Sequence, residues 1–336
     1  MNQQWLLAAR PDGVVRESDF RLVETPIPRI GAGEFLVQTL YLGAAAVMRG
    51  YMLNTEAFER PLELGDVMHG RGVGRVIASN NPLFAVGDIV HGKLGWQQYR
   101  VCDGSPYYLM YKVQQRSAPV STALGVLGLT GFTSYLGLMD VGALRPGDTV
   151  LVSGAAGGVG SNCGQIARNV GADAVGIAGS DAKCRLLTER LGYRAAINYQ
   201  AENVAQRIGE LCPHGIDVFF DNVGGATLDA GLKHLKRHAR VVLCGAISQY
   251  LNGALQPYAL QNAYVIFKQM ARMEAFFIYE MAEHFPRAEA AIAAWIAAGK
   301  LNYQEDILDG IENMPRALIR LFAGKNIGKQ LVRVAD

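Results

Sequence analysis

Three glycines at regular spacing, Gly154, Gly157 and Gly160, form the pattern in this chain that most directly predicts a binding chemistry. They follow a short β-rich run, Thr149–Gly154, and they open a helix-compatible segment, Gly158–Val170. Glycine at a strand-to-helix turn allows backbone N–H groups to approach a pyrophosphate closely, and the positive end of the helix attracts that anion. The pattern therefore predicts a dinucleotide site; the alternative is a glycine-rich turn with a purely structural role.

The residue at the end of the second predicted strand indicates which dinucleotide is bound. Proteins that bind NAD carry an acidic residue there, roughly 20 residues after the glycines, which holds the ribose 2′-hydroxyl. This chain has Ala178 at that position, and Lys183 and Arg185 follow in the next predicted helix. An acidic side chain would repel a 2′-phosphate, whereas a small residue beside a cation accommodates it. Asp181 comes late, at an N-cap position, so the sequence predicts NADP(H) unless Lys183 is an ordinary surface lysine.

The elements that position these residues alternate regularly through the middle of the chain. Short apolar runs predict strands at Thr149–Gly154, Ala174–Ala178, Ala195–Tyr199, Ile216–Val223 and Arg240–Gly245. Helices are predicted between them at Gly158–Val170, Asp181–Leu191, Asn203–Leu211 and Gly225–Leu235. Continuous apolar strands that alternate with helices are typical of a parallel sheet covered on both faces. The fold class is therefore α/β, with a doubly wound parallel sheet.

The N-terminal part of the chain has a different pattern, which predicts a mostly-β domain. Strand-like runs separated by Gly and Pro turns lie at Phe35–Leu42, Gly72–Ala78, Ile89–Gly92 and Trp96–Cys102. The C-terminal tail returns to this style, with a helix predicted at Met314–Ala323 and a strand at Lys329–Val334. We expect the tail to rejoin the first domain.

Composition excludes several classes of protein. Of 336 residues, 50% are hydrophobic and 18% charged, which excludes a disordered chain. The net charge of +2 without a Lys/Arg run predicts no nucleic-acid partner. Two uncharged stretches, Ala118–Met139 and Thr149–Ala167, are rich in small residues and are interpreted as buried segments, and the N-terminus lacks the basic region of a signal peptide. No membrane association is expected.

The cysteines are odd in number and widely spaced: Cys102, Cys163, Cys184, Cys212 and Cys244. None belongs to a CxxC or Cys/His cluster, so neither a disulfide framework nor a structural zinc site is expected. A reducing compartment, the cytoplasm, fits this pattern best.

Several segments carry a family resemblance: LGVLGLTGFTSYLGLMDVGALRPGDTVLVSGAAGGVG, GSDAKCRLLTERLGYRAAINY, DVFFDNVGG, VVLCGAISQY, ARMEAFF and GKNIGKQLV. Together they resemble the zinc-independent medium-chain dehydrogenase/reductases, in the branch of leukotriene B4 12-hydroxydehydrogenase/prostaglandin reductase and the bacterial NADPH-dependent enone and curcumin reductases. The resemblance runs from about Trp5 to Val334. It implies a GroES-like domain of residues 1–121 and 300–336, a Rossmann domain of residues 122–299, and NADP(H) in the cleft.

The same resemblance implies roles for individual residues. The pyrophosphate would lie on Gly157, Gly158, Val159 and Gly160, and the 2′-phosphate on Lys183 and Tyr199. Asn222 would meet the ribose or nicotinamide side. The nicotinamide half would be lined by Cys244, Gly245, Ala246, Ile247, Ser248 and Tyr250, and covered by Phe276, Phe277, Ile278 and Asn326.

The segment Leu42–Gly50 argues against a catalytic metal and also departs from the family pattern. Zinc-dependent relatives place a cysteine where this chain has Ala45, so no metal is expected, and His69 and His91 are interpreted as structural or cleft-lining. The branch usually has Asp-Pro-Tyr-Met-Arg-Gly where this chain has Ala-Ala-Val-Met-Arg-Gly, from Ala45 to Gly50. Loss of the tyrosine predicts a wider and more apolar substrate pocket.

The implied reaction is hydride transfer from NADPH to the β-carbon of an α,β-unsaturated ketone or aldehyde, a small-molecule substrate. The charge that develops on the carbonyl oxygen needs a donor, either the nicotinamide ribose 2′-hydroxyl or a tyrosine. Tyr250 is the first candidate for the catalytic donor and Tyr264 a weaker one, while Tyr250 can equally serve as a packing aromatic. Two alternatives stay open, an NADPH:quinone oxidoreductase and a non-catalytic NADPH-binding protein. Arg272–Ile278 reads as a sheet-edge strand and predicts a homodimer.

Overall fold

The computed structural model describes residues 1–53, 61–114, 118–250 and 256–335, and the side chains of Tyr108 and Tyr250 lie outside this description. The chain folds into two compact units. The first comprises Met1–Leu124 and Glu305–Asp336, and the second Gly125–Tyr250 and Leu255–Gln304, in each case as far as the chain is described.

The strands are, in chain order, β1 (Asn2–Leu7), β2 (Phe20–Thr25), β3 (Phe35–Gly43), β4 (Gly72–Ser79), β5 (Ile89–Gly92), β6 (Tyr99–Cys102), β7 (Tyr111–Lys112), β8 (Thr149–Val152), β9 (Asp173–Ala178), β10 (Ala195–Asn198), β11 (Ile216–Asp221), β12 (Leu235–Leu243), β13 (Arg272–Ala275), β14 (Glu305–Asp309) and β15 (Lys329–Arg333). The α-helices are α1 (Met48–Tyr51), α2 (Leu129–Leu136), α3 (Gly160–Val170), α4 (Asp181–Arg190), α5 (Val204–Leu211), α6 (Gly225–Leu232), α7 (Ile247–Tyr250), α8 (Tyr264–Gln269), α9 (Phe285–Ala297) and α10 (Met314–Phe322).

The second unit is built on a six-stranded sheet in the order β10-β9-β8-β11-β12-β13. Every neighbouring pair is parallel. Numbered from β8, this is the 3-2-1-4-5-6 order of the dinucleotide-binding Rossmann fold, and the predicted doubly wound sheet is confirmed. The strand order reverses between β8 and β11, and ligands of such sheets bind outside the carboxyl ends of the strands at that switch point.

Burial on both faces explains why the strands of this sheet are continuously apolar. Val150, Leu151 and Val152 of β8 are fully buried, as are Phe219 and Phe220 of β11. Helix α6 lies so close to the sheet that a Cβ on its Gly231 would stand 2.2 Å from the ring of Phe219. The core of this unit therefore lies between the sheet and its helices.

The first unit is mostly β, as predicted. Its main sheet has the order β14-β15-β3-β4-β5-β7, with β6 also paired to β3, and β1 and β2 form a separate antiparallel pair. The C-terminal strand β15 pairs antiparallel with β3, where Leu331 lies opposite Gly43. Its core contains the fully buried Trp96, which stacks on Phe20 with ring centroids 5.1 Å apart.

Some elements differ from the sequence prediction. Strand β12 begins at Leu235 rather than Arg240, because a register shift against β11 and a left-handed residue, His238 (φ 62°), lie in its first half. The uncharged stretch Ala118–Met139 contains the short helix α2, and a π-helical turn, Gly137–Val141, follows that helix. None of the helices in the described ranges has the length and apolarity needed to cross a membrane.

Candidate functional site

The glycine-rich loop between β8 and α3 needs glycine for two separate geometric reasons. Gly154 has a positive φ of 59°, a conformation that glycine adopts without strain. A Cβ on Gly160 would lie 2.4 Å from the carbonyl oxygen of Gly154 and 2.6 Å from Cα of Ala155. The loop therefore folds directly onto the first residue of α3. Its other anchor is the N–H of Ala155, which donates to the carbonyl of Ile177 in β9 at 3.0 Å.

Three side chains fix the orientation of this loop by hydrogen bonds to its backbone. Carbonyl oxygens at the end of the loop accept hydrogen bonds: Gly158 from Asn162 Nδ2 (3.0 Å), Val159 from Ser134 Oγ (2.9 Å) and Gly160 from the Tyr193 hydroxyl (2.5 Å). Gly157, Gly158 and Val159 remain partly exposed, whereas Gly160 is buried. The peptide planes are thus fixed without a ligand, and the N–H groups of Ser161 and Asn162 donate to the carbonyls of Gly157 and Val159 at 2.9 and 3.1 Å. The N-terminus of α3, whose positive end attracts an anion, therefore meets a loop of fixed shape.

A second group of predicted residues meets at the carboxyl ends of β9 and β10. Ala178 ends β9, and Ser180 caps α4 by accepting a hydrogen bond from the N–H of Lys183 at 3.3 Å. Tyr199 follows β10, and its N–H donates to the carbonyl of Ala178 at 3.0 Å. The Tyr199 hydroxyl would stand 2.9 Å from a Cβ on Gly179. Lys183, half-buried, and Tyr199, half-exposed, therefore belong to one local cluster around the turn that follows Ala178.

An acidic residue beside this cluster already accepts a hydrogen bond from a side chain. Asp181 is the first residue of α4, and its Oδ1 accepts a hydrogen bond from Asn198 Nδ2 at 2.7 Å. The N-cap of α4 is Ser180, and Asp181 is the first helical residue after it.

A third group lies beyond the switch point, after β11 and β12. Asn222 donates its side-chain amide to the carbonyl of Ser153 at 2.7 Å. Both the N–H and the hydroxyl of Ser248 bond to the carbonyl of Val223, at 3.1 and 2.7 Å. A Cβ on Gly224, whose φ is 71°, would stand 3.1 Å from Cβ of Ala246. Asn222 and the segment Cys244–Ser248 are thus brought together as expected for one face of a binding site.

The Cys244 thiol beside this group is not poised for nucleophilic chemistry. Burial, together with the nearby Asp221 carboxylate, raises its pKa to about 12. Burial likewise raises the pKa of the Cys163 thiol in α3 well above its usual value. All five cysteines are free thiols in the structure.

The remaining predicted residues are spread over both units. Phe276 packs at the end of α2, where a Cβ on Gly137 would lie 2.8 Å from its ring, and Phe277 contacts the ring of Tyr279 edge-on at 4.8 Å. Phe276, Phe277 and Ile278 follow β13 and are half-buried. Asn326 belongs to the first unit, is buried, and donates to the carbonyl of Gly328 at 2.8 Å.

The two candidate proton donors differ in what the structure describes. Tyr250 ends the short helix α7, and its side chain lies outside the described part of the structure. Tyr264 begins α8 and is 64% exposed. The catalytic role of Tyr250 therefore stays a prediction.

Sequence reasoning missed the residues that support the loop, above all Ser134 and Tyr193. Tyr193 is buried against α3, where a Cβ on Gly164 would stand 2.4 Å from its ring. Gly176 in β9 is similarly close, at 3.1 Å. Glycine is costly inside helices and strands, so these two glycines were an available signal that a large side chain lies against the backbone.

The segment Ala45–Gly50, which departs from the family pattern, forms one turn of the first unit. Met48 and Arg49 are buried, and the Arg49 guanidinium donates to the carbonyl of Gly13 at 3.1 Å. Ala45, Ala46 and Val47 are half-buried. The substituted residues therefore occupy the more accessible part of the turn, while the retained Met-Arg pair belongs to the core.

The two histidines singled out from the sequence, His69 and His91, pack against aromatic rings. Over the described ranges, no group of three or more His, Cys, Asp or Glu side chains converges as metal ligands do. His69 contacts the ring of Tyr51 at 5.3 Å, and His91, buried, stacks on Tyr111 at 4.7 Å. Burial is the main cause that lowers the pKa of His91 well below its usual value. These histidines are placed as packing residues.

The second unit, in contrast, fits a dinucleotide. The crowding at Gly160 leaves no room for a side chain between the loop and α3, and the carbonyls of Gly158, Val159 and Gly160 are held by side chains of the protein. Ala178 ends β9, where an NAD protein has an acid, and Lys183 of α4 and Tyr199 after β10 lie around the turn that follows it. These residues fit the 2′-phosphate of NADP(H).

Comparisons with known proteins agree with this geometry. A family model described as the N-terminal domain of oxidoreductase matches residues 3–109, and one described as zinc-binding dehydrogenase matches residues 158–294. The NADPH-dependent curcumin reductase of Escherichia coli (strain K12) is 38% identical over 99% of this chain and 97% of its own. The NADP(+)-dependent 2-alkenal reductase of Nicotiana tabacum is 35% identical over 99% of this chain and 98% of its own. The crystal structure of CurA from Vibrio vulnificus in complex with NADPH superposes with a TM-score of 0.92, at 36% identity and 99% coverage of both chains.

Proposed function

The chain belongs to the zinc-independent medium-chain dehydrogenase/reductase family, in the branch of the prostaglandin and curcumin reductases, and from this premise we propose that it reduces the carbon–carbon double bond of α,β-unsaturated ketones and aldehydes. It is an NADP(H)-dependent oxidoreductase. The identity extends over nearly the whole of this chain and of its relatives, so both units take part in the comparison.

The observation that carries the proposal is the set of residues that fit NADP(H) at the switch point of the second unit. Buried side chains of the protein fix its glycine loop, Ala178 occupies the position at which an acid would select NAD, and Lys183 follows in the first turn of α4. We assign cofactor binding to residues 122–299 and the substrate side to residues 1–121 and 300–336. Gly157, Gly158, Val159 and Gly160 would hold the pyrophosphate, and Lys183 with Tyr199 the 2′-phosphate.

NADPH, when bound, supplies a hydride for the β-carbon of the substrate. The protein must then neutralise the negative charge that develops on the carbonyl oxygen, for which a preorganised hydrogen-bond donor is the usual means. We assign this role to Tyr250, at the end of α7. Asn222 and the segment Cys244–Ser248 orient the cofactor from the loops after β11 and β12, and the raised pKa of Cys244 disfavours the thiolate form of that residue at neutral pH.

The experiment is a screen of NADPH oxidation with enals, enones, curcuminoids and quinones, with products identified by mass spectrometry. We expect turnover with the unsaturated carbonyls, and C4-deuterated NADPH should leave its deuterium on the β-carbon. Turnover with quinones alone would replace the proposal by a quinone oxidoreductase. Tight NADPH binding without turnover on any compound would indicate a non-catalytic NADPH-binding protein.

Variants of the two tyrosines test the assigned donor. Tyr250→Phe should lower kcat roughly a hundredfold or more, since general acid catalysis contributes on that order, and should leave NADPH affinity unchanged. Tyr264→Phe is the matched control and should retain kcat, because this tyrosine is largely exposed. A Tyr250→Phe variant with wild-type kcat would remove Tyr250 from the mechanism.

We also propose that the protein is a homodimer joined through β13. This strand is the outer strand of its sheet, and each of its residues is exposed. Phe267, in the adjacent α8, is 89% exposed. A bare strand edge beside an exposed aromatic residue favours pairing with a second copy.

Light scattering at micromolar concentration should give the mass of a dimer. Phe267→Glu should shift the mass toward the monomer. The control Leu83→Glu, at an exposed apolar residue of the other unit, should not change it. A monomeric wild-type protein would refute the assembly. The free thiols of all five cysteines fit a reducing compartment, and we propose the cytoplasm.

A further inference from the structure

A buried carboxylate lies at the switch point, between the strand ends that flank the dinucleotide site. Asp221 is the last residue of β11 and is fully buried. Its Oδ1 accepts hydrogen bonds from Ser153 Oγ at 2.5 Å and from the N–H of Val223 at 3.2 Å, and its Oδ2 accepts one from the N–H of Gly224 at 2.8 Å. Ser153 directly follows β8, so this hydrogen bond joins the two strands between which the sheet order reverses.

The ionised carboxylate is the chemical form that these neighbours require. Burial raises the pKa of Asp221, while the hydroxyl and the two backbone N–H groups oppose that shift. The Ser153 hydroxyl in turn accepts from the N–H of Asn222 at 2.8 Å, which orients its single proton toward Asp221. Asparagine cannot replace Asp221 here. Its amide NH₂ would face either the N–H of Gly224 or that of Val223, and two donors would oppose each other.

Asp221 fixes the two loops that follow β11 and β12. Through its carboxylate it orients Val223 and Gly224, and through its backbone carbonyl it accepts from the N–H groups of Cys244 and Gly245, at 2.8 and 3.2 Å. The turn after Ala178, on the opposite side of the switch point, is held instead by Ser180 and by strand β10. The two halves of the site therefore have separate supports.

We propose that Asp221, oriented by Ser153, is a positioning residue for the half of the dinucleotide that lies over β11 and β12, the nicotinamide half. The assignment rests on the NADP(H) site of the proposed function and does not depend on which substrate is reduced. Dinucleotides lie across the crevice at the switch point, with one half on each side. Loss of the carboxylate releases the loops on one side only.

The test is equilibrium binding of two ligands without substrate, NADPH and 2′,5′-ADP, which carries only the adenine half with its phosphates. Asp221→Asn should raise the Kd of NADPH at least tenfold and leave the Kd of 2′,5′-ADP within twofold of the wild-type value. Ser153→Ala, which removes one donor and creates no opposed pair, should raise the Kd of NADPH less, with the same selectivity. This milder variant answers the question if Asp221→Asn fails to fold.

Asp229→Asn is the matched control. Asp229, in helix α6, is also a buried carboxylate of the second unit. It accepts hydrogen bonds from the backbone N–H and the side-chain amide of Asn262, at 2.8 and 2.9 Å. This variant should lose stability and keep the wild-type ratio of the two Kd values. If Ser153→Ala weakens the binding of both ligands equally, or leaves the Kd of NADPH unchanged, the proposal is overturned. Selective weakening in a protein that reduces no enone would support it while refuting the proposed function.

Discussion

Replacing Gly160 by alanine tests whether the glycine loop is as tightly fitted as its geometry indicates. The added Cβ would lie 2.4 Å from the Gly154 carbonyl oxygen and 2.6 Å from Cα of Ala155. Both neighbours are backbone atoms, so no side chain can rotate away. The loop and the first turn of α3 must instead separate by roughly 1 Å to restore van der Waals contact.

The expected loss of stability follows from two opposing effects. Overpacking of a tightly packed site costs roughly 1–3 kcal/mol, and alanine returns about 0.5–1 kcal/mol relative to glycine in a helix. The net destabilisation is therefore up to about 2.5 kcal/mol, and each kcal/mol lowers the Tm of a unit of this size by roughly 2–4 °C. Displaced N–H groups also lose hydrogen bonds to a charged pyrophosphate, so we expect the affinity for NADPH to fall about ten- to a hundredfold.

Calorimetry and fluorescence titration with NADPH measure these two quantities on the same protein. Gly157→Ala is the control, because a Cβ there would meet only the Gly154 carbonyl oxygen, at 3.3 Å. Its Tm should stay within about 2 °C of the wild-type value, since a contact of that length needs a small adjustment only. A Gly160→Ala protein with the Tm and NADPH affinity of the wild type would refute the tight fit of the loop.

Three further predictions concern the cofactor, a buried lysine and the substrate. Lys183→Ala should weaken the affinity for NADPH about ten- to a hundredfold and leave the affinity for NADH nearly unchanged, since a charge-assisted contact is worth roughly 1.5–3 kcal/mol. Titration with both cofactors measures this difference. Equal losses of affinity for the two cofactors would remove Lys183 from the phosphate site. Burial lowers the pKa of Lys329 to about 8 in the folded protein. Between pH 8 and the usual lysine pKa of 10.5 the unfolded chain therefore binds more protons than the folded protein, and the free energy of unfolding should rise with pH. Chemical denaturation across this range should show a gain of about 3 kcal/mol relative to Lys329→Met, and parallel curves would contradict it. In a homologous enone series kcat/KM should rise several-fold per carbon, because each buried methylene is worth about 0.8 kcal/mol; a flat profile would mean that another group fills the space left at Val47.

The parallel sheet could be predicted from the sequence because its strands are buried on both faces. Runs such as Val150–Val152 and Val218–Phe220 are continuously apolar, and the predicted strands agree with β8 to β11 to within a few residues. The start of β12 was missed because its first half carries charged residues and the left-handed His238. This first half has no apolar pattern, so it is identified as part of the strand only from its pairing with β11.

The first unit was harder to predict in detail because its strands meet partners far away in the chain. The β1–β2 pair was not predicted, since the residues of β1 between Asn2 and Leu7 are all half-buried and show no alternation. Strand β15 lies beside β3, and nothing local in either segment specifies the other. Non-local pairing of this kind depends on the whole sheet rather than on a short pattern.

The same distinction separates the site residues that were predicted from those that were missed. The glycine loop is local, so its spacing is sufficient to identify it. Ser153 and Asp221 are 68 residues apart and meet only because the order of the sheet places its first strand beside its fourth. Each nevertheless has a local signature, a polar residue directly after an apolar run, in TVLVS and in VFFD. At the carboxyl ends of parallel strands such a residue either faces a ligand or bonds to the end of a neighbouring strand. Once the strand order is known, a pair of these residues on the two strands of a switch point can therefore be predicted to join them.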